Sequence, residues 1–361
     1  MLSGILRWST VSNVILIAGT FLTFVFYGQA FVTHPTVWVP ILCTAAGWLF
    51  GILIHEIGHA VAAIACGWQI LAFQVYPVGW HGPSCTLTLL PRSVGKEAGG
   101  YVVIVPRSLA TGSATRWMTI LACGPGASLA LAATALIIRE TWLRGVDTPG
   151  LIASNFGLAI AIQSCVFAAI SLIPQGGSDG AHIIAMARRD PEKDAIWPYV
   201  WARTMLDFNL RLRDLPGWLL AAQRDLPFPE KEREQYLAGL EIGLALDAEV
   251  PDYSRARALI DSHLVHYGAS AWLASCDAYL AAIGEGDAEG AARRLWSGEP
   301  DRQVMAIQHA AKASVLAVQG DRRGMRAELL RMRKANRADC PYRNATFRDI
   351  ERRIRAALRP A

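Results

Sequence analysis

The strongest constraint on this chain is a set of charge-poor apolar runs, at about residues 11–32, 40–66, 117–138 and 150–173. Hydrocarbon holds no water to satisfy backbone N–H and C=O groups, so a run of this kind has to be a helix that satisfies its own. At a rise of about 1.5 Å per residue, roughly 20 residues cross the ~30 Å apolar core of a bilayer, and each run is long enough. Arg7 precedes the first run, but no small-residue cleavage site follows it, so a retained span is expected in place of a removed signal peptide.

The charge distribution shows where the membrane character stops. Residues 1–179 hold 7 Lys or Arg and 5 Asp or Glu, against 28 and 25 in residues 180–361. The expected architecture is an α-helical membrane protein of about four transmembrane helices, followed by a soluble all-α domain. Seven cysteines show no paired spacing, which argues against a disulfide framework and for a reducing compartment on the soluble side. Residues 321–361 carry 13 basic and 5 acidic side chains, read as a solvated helical face, and no nucleic-acid partner is expected.

The second run contains His55-Glu56-Ile57-Gly58-His59, an H-E-x-x-H sequence. Residues four apart share a helix face, so His55 and His59 can hold one zinc ion while Glu56 lies beside it as a general base. Two histidines and a glutamate are costly in a membrane-grade helix, which favours function over coincidence. If the helix starts at Pro40, His55 lies roughly 22 Å along it, past the membrane midplane.

Between the second and third runs the pattern changes. Gln69–Val75, Cys85–Leu90 and Tyr101–Val105 are short β-prone runs punctuated by Gly79, Gly82, Pro83, Pro91, Gly99, Gly100 and Pro106. They predict two to three strands or a hairpin, a small membrane-associated β segment. Non-helical backbone at this depth has to be paired, covered or wet, and a bare strand edge can accept an extended peptide as readily as it can be purely structural.

Basic residues set the expected orientation. None follows the first run, whereas Arg92, Lys96, Arg107 and Arg116 follow the second and many follow the fourth; Arg139 and Arg144 run against the pattern. The positive-inside rule then puts both termini in the cytoplasm and the H-E-x-x-H sequence in the cytoplasmic half of the membrane. The loop after the fourth run, Pro174 to Gly180, presents one carboxylate, Asp179. An Asp between Ser and Gly ahead of an apolar run suits a helix cap, but a two-histidine site that needs an oxygen ligand favours Asp179 as the third ligand. Two imidazoles and a carboxylate would bind one zinc per chain and leave a position open.

Three segments together carry a family resemblance: the HEIGH sequence, Gly124-Pro125-Gly126-Ala127-Ser128 in a later span, and Ser171-Leu172-Ile173-Pro174 with Asp179-Gly180 at the end of the next. Over about residues 37–188 the chain resembles the site-2 protease family of intramembrane zinc metalloproteases. That family's N-x-x-P-x-x-x-x-D-G pattern keeps Pro five residues and its first position eight residues before the ligand Asp, as Pro174 and Ser171 stand to Asp179. The resemblance implies zinc held by His55, His59 and Asp179, Glu56 as catalytic residue, and Ser171, Pro174 and Ser128 in substrate positioning. Ser171 and Ser128 stand where the family often has Asn. It further implies a bacterial cytoplasmic membrane and, as substrates, membrane-tethered regulators or remnant signal peptides. A metzincin would need Gly at 62 and His at 65, where this chain has Ala62 and Ala65.

The rest of the chain divides into an aromatic, Pro-rich and basic linker, 189–231, and a repeating region, 232–361. The linker suits either lying on the lipid surface or packing against the repeats. Asp252, Asp287 and Asp321 stand 35 and 34 residues apart; Ala256, Ala291 and Met325 follow four on, and Ile260, Leu295 and Leu329 eight on. That period resembles a tetratricopeptide helical-repeat array, with Phe347, Ile350, Ile354 and Leu358 suited to a terminal capping helix. The expected function is an intramembrane zinc endopeptidase that cuts a transmembrane helix of a partner near the cytoplasmic face, with a second protein partner bound by the helical repeats. The rival is a catalytically silent membrane scaffold that displays them.

Overall fold

In the computed structural model the described residues are 38–82, 85–89, 100–142, 148–175, 177–188, 195–208, 210–298, 304–339 and 345–358. The expected span at 11–32 lies outside them. The chain forms two compact units, Met1–Asp194 and Ala195–Ala361.

The first unit is built on three long helices, α1 (Trp38–Ala65), α2 (Ala114–Trp142) and α3 (Thr148–Leu172), each in contact with the other two. Portions of all three are long and apolar enough to cross a bilayer: Ile41–Ala65, Ala114–Trp142 and Ala153–Leu172. Their outward faces carry Leu42, Val61, Ile64 and Ile137, each more than half exposed, a surface that suits lipid and not water. Inward, small residues let the backbones approach closely. A Cβ on Gly58 of α1 would lie 2.5 Å from the Cys123 carbonyl oxygen of α2, so only glycine permits this crossing.

Gly67, at φ 79°, ends the α1 segment in the left-handed conformation that glycine adopts without a Cβ clash. The chain then enters an antiparallel sheet, β1 (Trp68–Val75), β2 (Val78–His81), β3 (Thr86–Leu89) and β4 (Gly100–Pro106), in the order β3-β2-β1-β4. The strands at 69–75, 85–90 and 101–105 are close to expectation; β2 is the addition, its Val-Gly-Trp-His too short and too Gly-marked to read as a strand until β1 and β3 pair with it. The register along β1 and β4 shifts between Ile70 and Ala72, a bulge at Leu71. Beyond α3, Ser178 caps a short helix, α4 (Asp179–Ala187), accepting a hydrogen bond from the Ala181 N–H at 3.1 Å.

The second unit opens with α5 (Trp197–Asp207) and α6 (Gly217–Ala222). Trp201, Met205, Leu215, Leu219 and Leu226 are buried, so the aromatic, Pro-rich segment contributes to the core of this unit, the second of its two expected alternatives. Three helix pairs come next: α7 (Glu230–Asp247) with α8 (Tyr253–Tyr267), α9 (Ala271–Tyr279) with α10 (Ala288–Arg294), and α11 (Met305–Val318) with α12 (Arg322–Asp339). The sequence period has a local cause. Asp252, Asp287 and Asp321 each accept an N–H bond from the residue three ahead, at 3.0, 2.8 and 2.8 Å, and so cap the second helix of each pair. Ala256, Ala291 and Met325, and Ile260 and Leu329, are the buried positions behind those caps; Leu295 is only half-buried because α10 ends at Arg294. The last helix, α13 (Ala345–Ala357), seats Ile354 on the α11–α12 core, with Phe347, Ile350 and Leu358 beside it. This unit also carries an open cavity of about 670 Å³, lined by Tyr199, Leu240, Trp272, Phe347, Ile350 and Arg353 among others.

Arg211 ties the ends of this unit together, bonded to Asp247 at 2.6 Å and to Asp349 at 3.0 Å, while Arg353 meets Asp349 at 2.7 Å. Burial would raise the Asp349 carboxyl, but Arg353 and Arg211 outweigh it and hold it below the usual carboxylate range. A depressed folded-state value means stability that is present above the unfolded value of about 3.9 and lost as pH falls through the folded one. Asp349→Asn is therefore expected to flatten the loss of stability between neutral and strongly acid pH, measured by denaturant unfolding of the full chain. Asp321→Ala should cost about 1 kcal/mol through its lost cap, with hydrogen exchange rising first in α12.

Candidate metal centre

Three side chains from two helices converge on one point. His55 and His59 come from adjacent turns of α1, and Asp179 from the first turn of α4. His55 Nε2 lies 3.2 Å from Asp179 Oδ2, His59 Nε2 lies 3.3 Å from it, and the two Nε2 atoms are 3.2 Å apart. Among the described residues this is the cluster of three metal-ligating side chains.

Those distances provide a test of fit. A tetrahedral zinc with bonds of about 2.0–2.1 Å places its ligand atoms about 3.3 Å from one another. The observed triangle has that edge, and its donor set, two imidazoles and one carboxylate, is that of a catalytic zinc site with a position left open. Larger hard cations prefer six or more oxygens, which this site does not offer.

The tautomers are also arranged for a metal. His59 Nδ1 lies 2.8 Å from the Ile120 carbonyl oxygen, which can only accept, so Nδ1 carries the proton and Nε2 keeps its lone pair. His55 Nδ1 lies 3.0 Å from Ser128 Oγ on α2, a hydroxyl that holds the second ring in place. Both partners come from the stretch of α2 flanking Gly124 and Pro125. Pro125 interrupts the α2 hydrogen-bond ladder, and a Cβ on Gly124 would lie 2.2 Å from His59 Nε2. Gly124 is the opening through which His59 reaches the centre.

At Asp179 the cap role falls to its neighbour. Ser178 holds the cap position, accepting from Ala181 N–H and donating to the Ile173 carbonyl at 2.6 Å, which leaves the Asp179 carboxylate free to face the imidazoles. Gly180 seats α4 against the end of α3, since a Cβ there would lie 2.0 Å from the Leu172 carbonyl oxygen.

Glu56 is buried next to the two histidines, at 8 % exposure, with Gly100 of β4 against its side chain. Of the three residues expected to position substrate, one lies within α2 and two lie at or just beyond the end of α3. Ser128 is fully buried on His55, Ser171 donates to the Ala168 carbonyl at 3.1 Å within α3, and Pro174 comes just after the end of that helix. Sequence reasoning passed over Ile120 and Gly124 as contributors to the centre; Ile120 acts through a backbone carbonyl and carries no side-chain signal.

Residues 43–156 match the model of peptidase family M50, the family of the site-2 proteases. The match holds His55, Glu56, His59 and Ser128, ends before Asp179 and covers less than half of the chain. Searches of curated proteins and of solved structures found no match.

Gly124→Ala is expected to lower zinc affinity at least tenfold by displacing His59, whereas Gly126→Ala, whose Cβ would meet nothing within 4 Å, should bind as the wild type does. Metal titration of the purified proteins against a competing chelator checks the pair.

Proposed function

We propose that this chain is an intramembrane zinc endopeptidase that cuts within or beside a membrane-embedded segment of another protein. The observation that carries the reading is the triangle of His55, His59 and Asp179 donors at 3.2–3.3 Å, with Glu56 adjoining it on a helix apolar and long enough to cross a membrane. The match of residues 43–156 to peptidase family M50 supports the same chemistry.

The work is divided among a few side chains. His55, His59 and Asp179 would hold zinc, oriented by Ser128 and the Ile120 carbonyl. When bound, zinc supplies Lewis acidity toward the scissile carbonyl and makes a water acidic enough to attack near neutral pH. Glu56 takes the proton from that water and later gives it to the departing amine, so one carboxylate serves as base and then as acid. A helical substrate hides its peptide bonds in its own hydrogen bonds, so it has to unwind locally before it is cut. The sheet packed against α1 supports the idea that the unwound stretch is held there.

The excess of basic residues after the second and fourth apolar runs supports cytoplasmic termini and a cut near the cytoplasmic face. The helix pairs of the second unit and their apolar cavity support a role in capturing a protein partner and not in bond breaking, since among the described residues the metal-ligating cluster lies in the first unit.

Glu56→Gln is expected to keep about one zinc per chain and to lose cleavage of a reconstituted transmembrane substrate, while Asp179→Ala should lose both. Elemental analysis beside a gel-based cleavage assay distinguishes them. Equal cleavage by Glu56→Gln and wild type would remove the proposal.

A further inference from the structure

Residues 321–361 hold 13 basic and 5 acidic side chains, and the fold gathers part of that excess on one surface. In α12 the buried residues Met325, Leu329 and Met332 set the inward face. Arg323, Arg326, Leu330 and Lys334 follow one another at spacings of three and four, so they share a face of the helix, and all four are exposed. Leu330 stands in the middle of these cations and is 67 % exposed. Arg323, Arg326 and Lys334 have no ion-pair partner among the described residues.

The surface continues onto α13. Glu351 accepts hydrogen bonds from Arg333 Nε at 2.9 Å and from Arg355 Nε at 2.8 Å, which joins the basic side of α12 to that of α13. Two further carboxylates of these helices, Glu328 and Asp349, are buried and engaged elsewhere, with His309 and Arg211. Asp321 caps the start of α12. Around Leu330, Arg323, Arg326, Arg333, Lys334 and Arg355 are therefore set against Glu351 alone among the described residues. Crowded like charges repel one another, so this surface gains most from an anion outside the fold.

We propose that the α12–α13 surface docks on the anionic lipid headgroups of the bilayer that the chain itself spans, with Leu330 dipping below them. A bilayer surface offers negative headgroups above an apolar layer, so Arg and Lys side chains reach the former while a central leucine enters the latter. Nucleic acid offers the negative charge without the apolar layer. The bilayer is also the partner already at hand: seven residues, 188–194, separate α4 from the second unit, at most about 25 Å of extended chain. That tether makes docking an intramolecular event at high effective concentration. The proposal does not depend on the endopeptidase reading.

The test uses the full chain in lipid nanodiscs, with the photo-crosslinking residue p-benzoylphenylalanine in place of Leu330. Discs of phosphatidylcholine alone are compared with discs containing about a third phosphatidylglycerol, and lipid adducts on the α12 peptide are counted by mass spectrometry. Adduct yield should rise at least about fivefold in the anionic discs, the effect of one cation near such a surface. Raising salt from 0.1 to 1 M shortens the Debye length from about 10 to about 3 Å and should return the yield to the phosphatidylcholine level. The triple variant Arg323→Glu, Arg326→Glu, Lys334→Glu should do the same with an unchanged thermal midpoint, because these exposed side chains hold no ion pair in the fold. Arg323→Lys with Arg326→Lys should keep the adduct, since attraction to headgroups needs charge and not a guanidinium fork. If the triple variant fails to fold, the salt dependence of the unreversed protein decides. No adduct, equal adduct in both discs, or an adduct indifferent to salt would overturn the proposal. So would crosslinking in native membranes that captures protein or nucleic acid in place of lipid.

Discussion

The metal centre depends on how closely α1 and α2 approach. Gly58 and Gly124 remove the side chains that would hold the helices apart, and a Cβ on Gly124 would lie inside the volume of the His59 ring. Without hydrophobic driving force in lipid, such packing rests on contact at short range, so the small residues are what allow association at all. The same approach brings Ser128 and the Ile120 carbonyl within reach of the two Nδ1 atoms. Packing and ligand orientation are one interaction seen from two sides.

Around that contact the unit supplies one carboxylate and one covered sheet. Ser178 takes the capping work at the start of α4 and so frees Asp179, whose charge balances part of what a divalent cation would bring into a poorly solvated place. The sheet packs on α1, and β4 begins with the one residue type that lets it touch Glu56. Each strand is paired and the sheet lies on α1, which leaves its backbone groups satisfied without relying on solvent along the paired edges.

The second unit obeys a different logic, that of water-soluble helices. Its period rests on aspartate caps and on small or aliphatic residues four and eight positions behind them, while its ends are joined by the Arg211, Asp247, Asp349 and Arg353 cluster, drawn from segments more than a hundred residues apart. Charges buried together hold only while both signs remain, which is why this cluster is the acid-sensitive part of the unit.

Much of this was legible in the residues alone. Charge-free runs dictate helices because lipid leaves no alternative, i and i+4 spacing puts His55 and His59 on one face, and Asp recurring every 34 or 35 residues marks helix starts, since capping is local chemistry. What the sequence left open was decided by contacts between distant segments. The Asp179 carboxylate faces the two imidazoles because Ser178 took the cap, and β2 became a strand because two neighbours paired with it. Ser128 came to lie against His55, and of the two alternatives for the aromatic segment after residue 195, packing into its unit is the one its buried residues follow. Local propensity and spacing act through neighbours in sequence, whereas ligand orientation is a property of segments that meet only in the folded chain.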